Sequence, residues 1–430
     1  MSQIIRPSRR DVLAGGLAGL LVPAIGRGAS SSRRNLVLVF AQGGWDVTYV
    51  FDPKLGVAGV QGPEAHGSAD PEDVNAVQTF SGLPVVVNAA RRPAVTAFFD
   101  KWAGSTCVIN GVATQSIAHE ACRARILTGT ADRRNPDLAA IVGDAGSADL
   151  PVGYVDLSGY SHNGDLGAST GRVGYYGQIN TLIDPWQTFD PPAGADYTYP
   201  QFVPSSAGQD AIERYLGLRV DAARARRGGG SNDLRIDSLD EASWRARLLR
   251  EHGDDLIGDL GLGEIQSLAT MAGLAGDLLR KEICRTVLVG SALLWDTHND
   301  NAPQHGSYDD LFGGLDVLVS DLDASGLLDQ TTIVVLSEMG RAPFLNDFGG
   351  KEHWPHTSAM VIGAGVGGGR VLGGTNDLLE SSPVDLATGA PTDAGAIATY
   401  ANLAAGVLEA MDVDPGAWLP GIEPYRGFRG

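Results

Sequence analysis

The chain is short of cysteine, lysine and unbroken apolar stretches, and each shortage closes a class of explanation. Its 430 residues include 3 cysteines, Cys107, Cys122 and Cys284. So small and odd a number does not make a disulfide framework, and no C-x-x-C pair offers a zinc site. None lies in a C-x-P-x-R context, because Cys122 is followed by Arg123-Ala124-Arg125, which excludes a nucleophile made by oxidising cysteine to formylglycine. Lysine occurs only at Lys54, Lys101, Lys281 and Lys351, and all bases together number 32 against 51 acids, a formal net charge of −19. A field of that sign repels polyanions and disfavours nucleic acid as a partner. The apolar N-terminal run, Val12 to Ile25, is too short and too interrupted by glycine to stay in a bilayer as a spanning helix.

What is present is a hydrophobic content of 43% with 58 glycines and 22 prolines, enough for a large core joined by many tight turns. At the front, Ser8-Arg9-Arg10-Asp11-Val12-Leu13 resembles a twin-arginine export signal. Residues 1–30 are therefore read as a signal peptide, with small residues for cleavage both at Ala24-Ile25-Gly26 and at Gly28-Ala29-Ser30. That reading implies the twin-arginine translocase as a partner during export and a periplasmic or secreted location. Residues 31–430 are read as one domain with a helical insertion around 200–260, placed to cover the site.

Along the chain, strand and helix patterns alternate. Asn35 to Phe40 and Thr331 to Leu336 are continuous apolar runs, the mark of strands buried on both faces. Cys107 to Val112 reads as another strand leading to a helix over Gln115 to Leu127 that ends at Gly129. Leu262 to Leu294 reads either as one long helix or as a helix passing into a strand at Arg285 to Val289. Ala359 to Ile362 is a strand and Ala394 to Met411 a helix. Gly363-x-Gly365-x-x-Gly368 imitates a dinucleotide fingerprint but opens no helix, and is read as a turn before a strand at Arg370 to Leu372. The expected fold class is α/β, a mostly parallel central sheet with helices on both faces.

Ligands of such sheets sit beyond the carboxyl ends of the strands. There the sequence places Asp46, then Thr114, Ser116 and His119, then Asp296 and His298, then Glu338, with Glu352, His353 and His356 shortly after. Four of the 8 histidines thus meet four carboxylates at one edge. Imidazole and carboxylate without thiolate suit a divalent metal, zinc first, then manganese, iron or magnesium. Asp46, Asp296, His298, Glu338, His353 and His356 are the candidate ligands. His119 is open to three roles: ligand, acid/base, or helix packing. Arg341 reads as an anion clamp or as a structural ion pair.

The segment Thr332 to Pro343, containing Ser337-Glu338-Met339-Gly340-Arg341-Ala342-Pro343, then Gly349-Gly350-Lys351-Glu352-His353-Trp354-Pro355-His356, then the glycine-rich turn from Gly363, resembles the DUF1501 family. That family shows S/T-E-F-G-R-T-P, G-R-D-H-W-P and a glycine-rich turn, and the likeness runs from about Arg9 to Asp377. The resemblance implies an alkaline-phosphatase-like architecture and an exported metal-dependent hydrolase of phosphate or sulfate esters, with a two-metal site. A non-catalytic binding or scaffold protein that keeps part of that site is the alternative. Met339 stands where the superfamily supplies a histidine. Ala118-His119 replaces the family's Ser-His, which leaves Ser116 as the nearest catalytic hydroxyl but out of register.

Overall fold

Seven residues in a row, Asn35–Ala41, are buried and form the first strand of the fold, β1. Their side chains alternate between two cores. Val37 and Val39 face one core while Leu36, Leu38 and Phe40 face the other, which is why no polar residue interrupts the run. The computed structural model describes residues 34–132, 134–172, 206–226, 231–251, 267–291 and 295–430. The expected signal peptide lies outside them. Among the described residues no helix is long and apolar enough to cross a membrane.

The strands in chain order are β1, β2 (Ala76–Phe80), β3 (Leu83–Val87), β4 (Thr106–Ala113), β5 (Tyr154–Asp156) and β6 (Thr170–Arg172), then β7 (Thr286–Gly290), β8 (Thr331–Ser337), β9 (Gly340–Arg341), β10 (His353–Trp354), β11 (His356–Gly363) and β12 (Arg370–Gly373). Eight of them form one sheet in the order β12-β4-β11-β8-β1-β7-β5-β6. β1 pairs in parallel with both β7 and β8, and β12 with β4, while β11 runs antiparallel between β8 and β4. The α/β class with a mostly parallel sheet is thus the fold of this chain.

The helices are α1 (Pro93–Trp102), α2 (His119–Thr128), α3 (Leu138–Ala145), α4 (Ser206–Arg226), α5 (Ser231–Glu251), α6 (Leu268–Arg280), α7 (Gln304–Ala324) and α8 (Tyr400–Ala410). Phe98 of α1, Leu274 of α6 and Leu315 of α7 fill the core on one face of the sheet. Ile126 of α2, Ile141 of α3 and Leu403 of α8 fill the other.

Two boundaries and one placement differ from the sequence reading. The helix expected from Gln115 begins at His119, because Gln115 adopts φ 57° and the Thr114 hydroxyl donates to the Ser116 carbonyl at 2.6 Å, closing a turn first. α8 begins at Tyr400, where Thr399 and Asn402 form a reciprocal cap. Of the insertion helices, α5 is anchored away from the expected place. Arg245 of α5 donates to the carbonyls of Ser147 and Leu150 at 3.0 and 2.9 Å, just ahead of β5, at the amino edge of the sheet.

Candidate metal centre

Five segments that leave or enter the carboxyl edge build the centre. After β1 the chain turns through Gly43 and Gly44, with φ 117° and 95°. A Cβ on Gly43 would lie 2.6 Å from the Asp296 amide nitrogen, so only glycine lets the turn after β1 press against the segment after β7. β8 ends at Ser337, which puts Glu338 beside that turn, where its Oε1 accepts the Gly43 N–H at 2.7 Å. His119 opens α2, and His353 stands on β10 opposite Arg341 of β9.

These elements bring three imidazoles around one carboxylate. His298 Nε2 and His353 Nε2 lie 3.1 and 3.3 Å from Asp296 Oδ1, and His119 Nε2 lies 3.4 Å from Oδ2. Each ring is held by its other nitrogen. His119 Nδ1 donates to Glu338 at 2.7 Å, His353 Nδ1 donates to the Ile117 carbonyl at 2.8 Å, and His298 Nδ1 faces Glu352 at 3.2 Å. Oxygen acceptors on Nδ1 suit the tautomer whose Nε2 offers a lone pair to a metal, while without an ion the His353 Nε2 has the Asp296 carboxylate as its hydrogen-bond partner. The Nε2 atoms of His298 and His353 lie 2.9 Å apart, a spacing at which one ring donates to the other or both lone pairs face a shared cation.

The donor set fits a metal by distance as well. Ligand atoms about 2.1 Å from a tetrahedral ion are separated by about 3.4 Å, close to the contacts here. The ligand atoms of His119, Asp296 and His353 all lie within 4.8 Å of one another. Burial, with the Arg341 charge, holds His353 below the usual imidazole range, so it is neutral as a ligand must be. Burial raises the Asp296 carboxyl, but the bond and charge of Arg341 outweigh it and keep the group ionised. Glu338 is shifted up by burial, against the His119 hydrogen bond, and its Oε2 has no partner among the described residues.

Asp46 stands apart from this cluster. Its side chain is wholly buried beside that of Lys351, with Oδ2 2.7 Å from Nζ. Asn301 donates to the same oxygen at 2.8 Å, and the amide and hydroxyl of Thr48 donate to Oδ1 at 3.1 and 2.7 Å. His356, at the start of β11, is also outside, its Nδ1 held by the Ser381 amide and hydroxyl. Ser116 uses its hydroxyl to accept from the Ala118 amide at 3.2 Å. Arg341 is fully buried and donates to the carbonyls of Gly43, Gly44, Trp295 and Lys351 and to Asp296. It positions the first ligand and has no face left for an anion clamp. Sequence reasoning missed Lys351, Glu352 as a partner of His298, and the Ile117 carbonyl, none of which carries a local signal.

The segment from α6 to beyond α8 holds Asp296, His298, Glu338 and His353 together. Residues 272–415 match the DUF1501 family, described as a protein of unknown function. The match begins later and ends later than the resemblance read from the sequence, and it leaves out His119 and Asp46. No curated protein matches the chain. Among solved structures it is similar to Ps i-CgsB, with 12% identity and a TM-score of 0.40, over 92% of this chain and 76% of that one. It is similar to a protein in the alkaline phosphatase superfamily from Vibrio parahaemolyticus, with 10% identity and a TM-score of 0.37, over 92% and 69%. A third is the PsFucS1 sulfatase from Pseudoalteromonas sp., with 13% identity and a TM-score of 0.36, over 92% and 76%.

Proposed function

We propose that this protein is an exported, metal-dependent hydrolase of phosphate or sulfate esters. The observation that carries the reading is the set of three Nε2 atoms, each aimed by an acceptor on Nδ1, around the Asp296 carboxylate at the carboxyl edge of the sheet. His119, Asp296, His298 and His353 would hold a divalent ion, zinc by donor type, with manganese, iron or magnesium as alternatives. Such an ion, when bound, polarises a phosphoryl or sulfuryl oxygen and makes water a stronger nucleophile.

The chain's own contribution is orientation and charge. Glu338, Glu352 and the Ile117 carbonyl fix the rings, and Arg341 fixes Asp296. Arg341 and Lys351 offset the nearby carboxylates, so an anionic ester meets less repulsion than the net charge suggests. Ser116 and Thr114 are engaged in their own turn, so water is assigned as the attacking group. Twin-arginine export to the periplasm or beyond completes the proposal, on the strength of the N-terminal sequence.

The test is a panel of phosphate, phosphonate and sulfate esters, assayed with zinc, manganese and magnesium after chelation. Turnover should vanish on chelation and return with an ion. Asp296→Ala and His353→Ala should each lose at least about 100-fold while melting cooperatively. Metal uptake with no turnover on any ester would instead favour the non-catalytic reading, which Met339 in the place of a histidine supports.

A further inference from the structure

The resemblance implies two metals, but the two strand-end carboxylates are not equivalent here. A carboxylate offers about four lone-pair directions. Three of those of Asp46 are filled by the Thr48 amide, the Thr48 hydroxyl and Asn301, and the Lys351 ammonium stands 2.7 Å from Oδ2 as an ion pair, its Nζ making no hydrogen bond among the described residues. Asp296 has Arg341, His298 and His353 on Oδ1, while among the described residues its Oδ2 meets only the His119 ring. One carboxylate is sealed in with a fixed cation and the other is open.

Lys351 cannot easily leave. Its amide donates to the Thr297 carbonyl at 3.1 Å and its carbonyl accepts from Arg341 at 3.0 Å, which clamps the backbone on both sides. Gly350 before it sits so close to the preceding turn that a Cβ would fall 2.0 Å from the His298 carbonyl oxygen. The side chains of Lys351 and Asp46 are both wholly buried, so neither reaches water to exchange partners. A divalent ion beside Asp46 would also meet the ammonium at short range in a medium of low dielectric, where like charges repel strongly.

We infer that the centre takes one metal ion, and that the Lys351 ammonium occupies the place of the second as a cation built into the chain. The inference rests on the metal-dependent reading above and specifies it: one exchangeable ion on His119, Asp296, His298 and His353, and one fixed positive charge on Asp46 that no chelator removes. The four oxygens and nitrogens around the Asp46 carboxylate do for that group what a metal would have done.

Cobalt(II) titration of the metal-depleted full chain tests this, followed by visible absorbance and by elemental analysis of the dialysed product. The expected endpoint is one ion per chain. The double variant Asp46→Asn/Lys351→Met removes both buried charges together, so its folding is preserved, and it should keep that endpoint within about twofold in affinity. His353→Ala should weaken uptake at least about tenfold. An endpoint of two ions in the wild type, or loss of an ion in the double variant, overturns the inference and leaves the hydrolase reading standing. One ion without hydrolysis sinks the hydrolase reading alone, and no uptake at all overturns both.

Discussion

Asp46 and Asp296 each follow a buried parallel strand of one sheet, and β1 and β7 that deliver them are neighbours, yet their surroundings have little in common. Asp296 is about a third exposed, at 37%, and ringed by imidazoles, whereas Asp46 is sealed at 0% with a lysine. The strand end determines only where a carboxylate stands. What it does is decided by the segments that arrive from elsewhere, His119 and His353 on one side, Asn301 and Lys351 on the other. The open side is arranged to bind and the sealed side to hold.

The largest effect that would sharpen this contrast is on the sealed side. Lys351→Ala leaves a buried carboxylate without its counter-charge and should cost about 3–5 kcal/mol of stability. His298→Ala, on the open side, should cost under about 1 kcal/mol. Urea unfolding of the two variants reads the difference, and equal losses would erase the distinction.

Acid should act next, and again on the sealed side. His305 is buried beside Tyr49, its Nδ1 accepting from Arg92 at 2.5 Å, and burial followed by the Arg92 charge pushes its pKa down to about 3. A depressed folded-state pKa gives stability that is present above the ordinary histidine value and lost as pH falls from about 6.5 towards about 3. The full span corresponds to at most about 5 kcal/mol. His305→Gln should flatten that limb of the melting temperature against pH, and an unchanged limb would remove His305 from the account.

The smallest of the three lies on the open side. Glu338→Gln keeps the shape of the residue but weakens its hold on the His119 ring, and should lower metal affinity about 10- to 100-fold with little change in melting. Competition with a chelator of known affinity measures it. A large loss of stability instead would make Glu338 a structural group like Asp46.

Much of this was legible in the residues. β1 and β8 announced themselves because burial on both faces demands an unbroken apolar run, and Asp296, His298, Glu338 and His353 because polar residues just beyond such runs collect at one edge. His119 was visible as a candidate but its role was not, since Glu338 lies 219 positions away. Asp46 and Arg341 look like functional groups in any sequence, and only tertiary contacts reveal that their polar atoms are already taken. Lys351 was hardest of all, because a single lysine in a polar loop normally points to solvent. His356 follows His353 by three positions, but the short β10 ends between them and β11 carries it to Ser381.

The Gly43 turn against Asp296 joins two points that are 253 positions apart along the chain. Closing so long a loop costs chain entropy that only the finished packing offsets. The ring of imidazoles is therefore a marker of completed assembly: a fragment ending before β7 lacks its carboxylate, and one beginning after α2 lacks His119. Uptake of an ion by all four side chains would report that the two ends of the molecule have found each other.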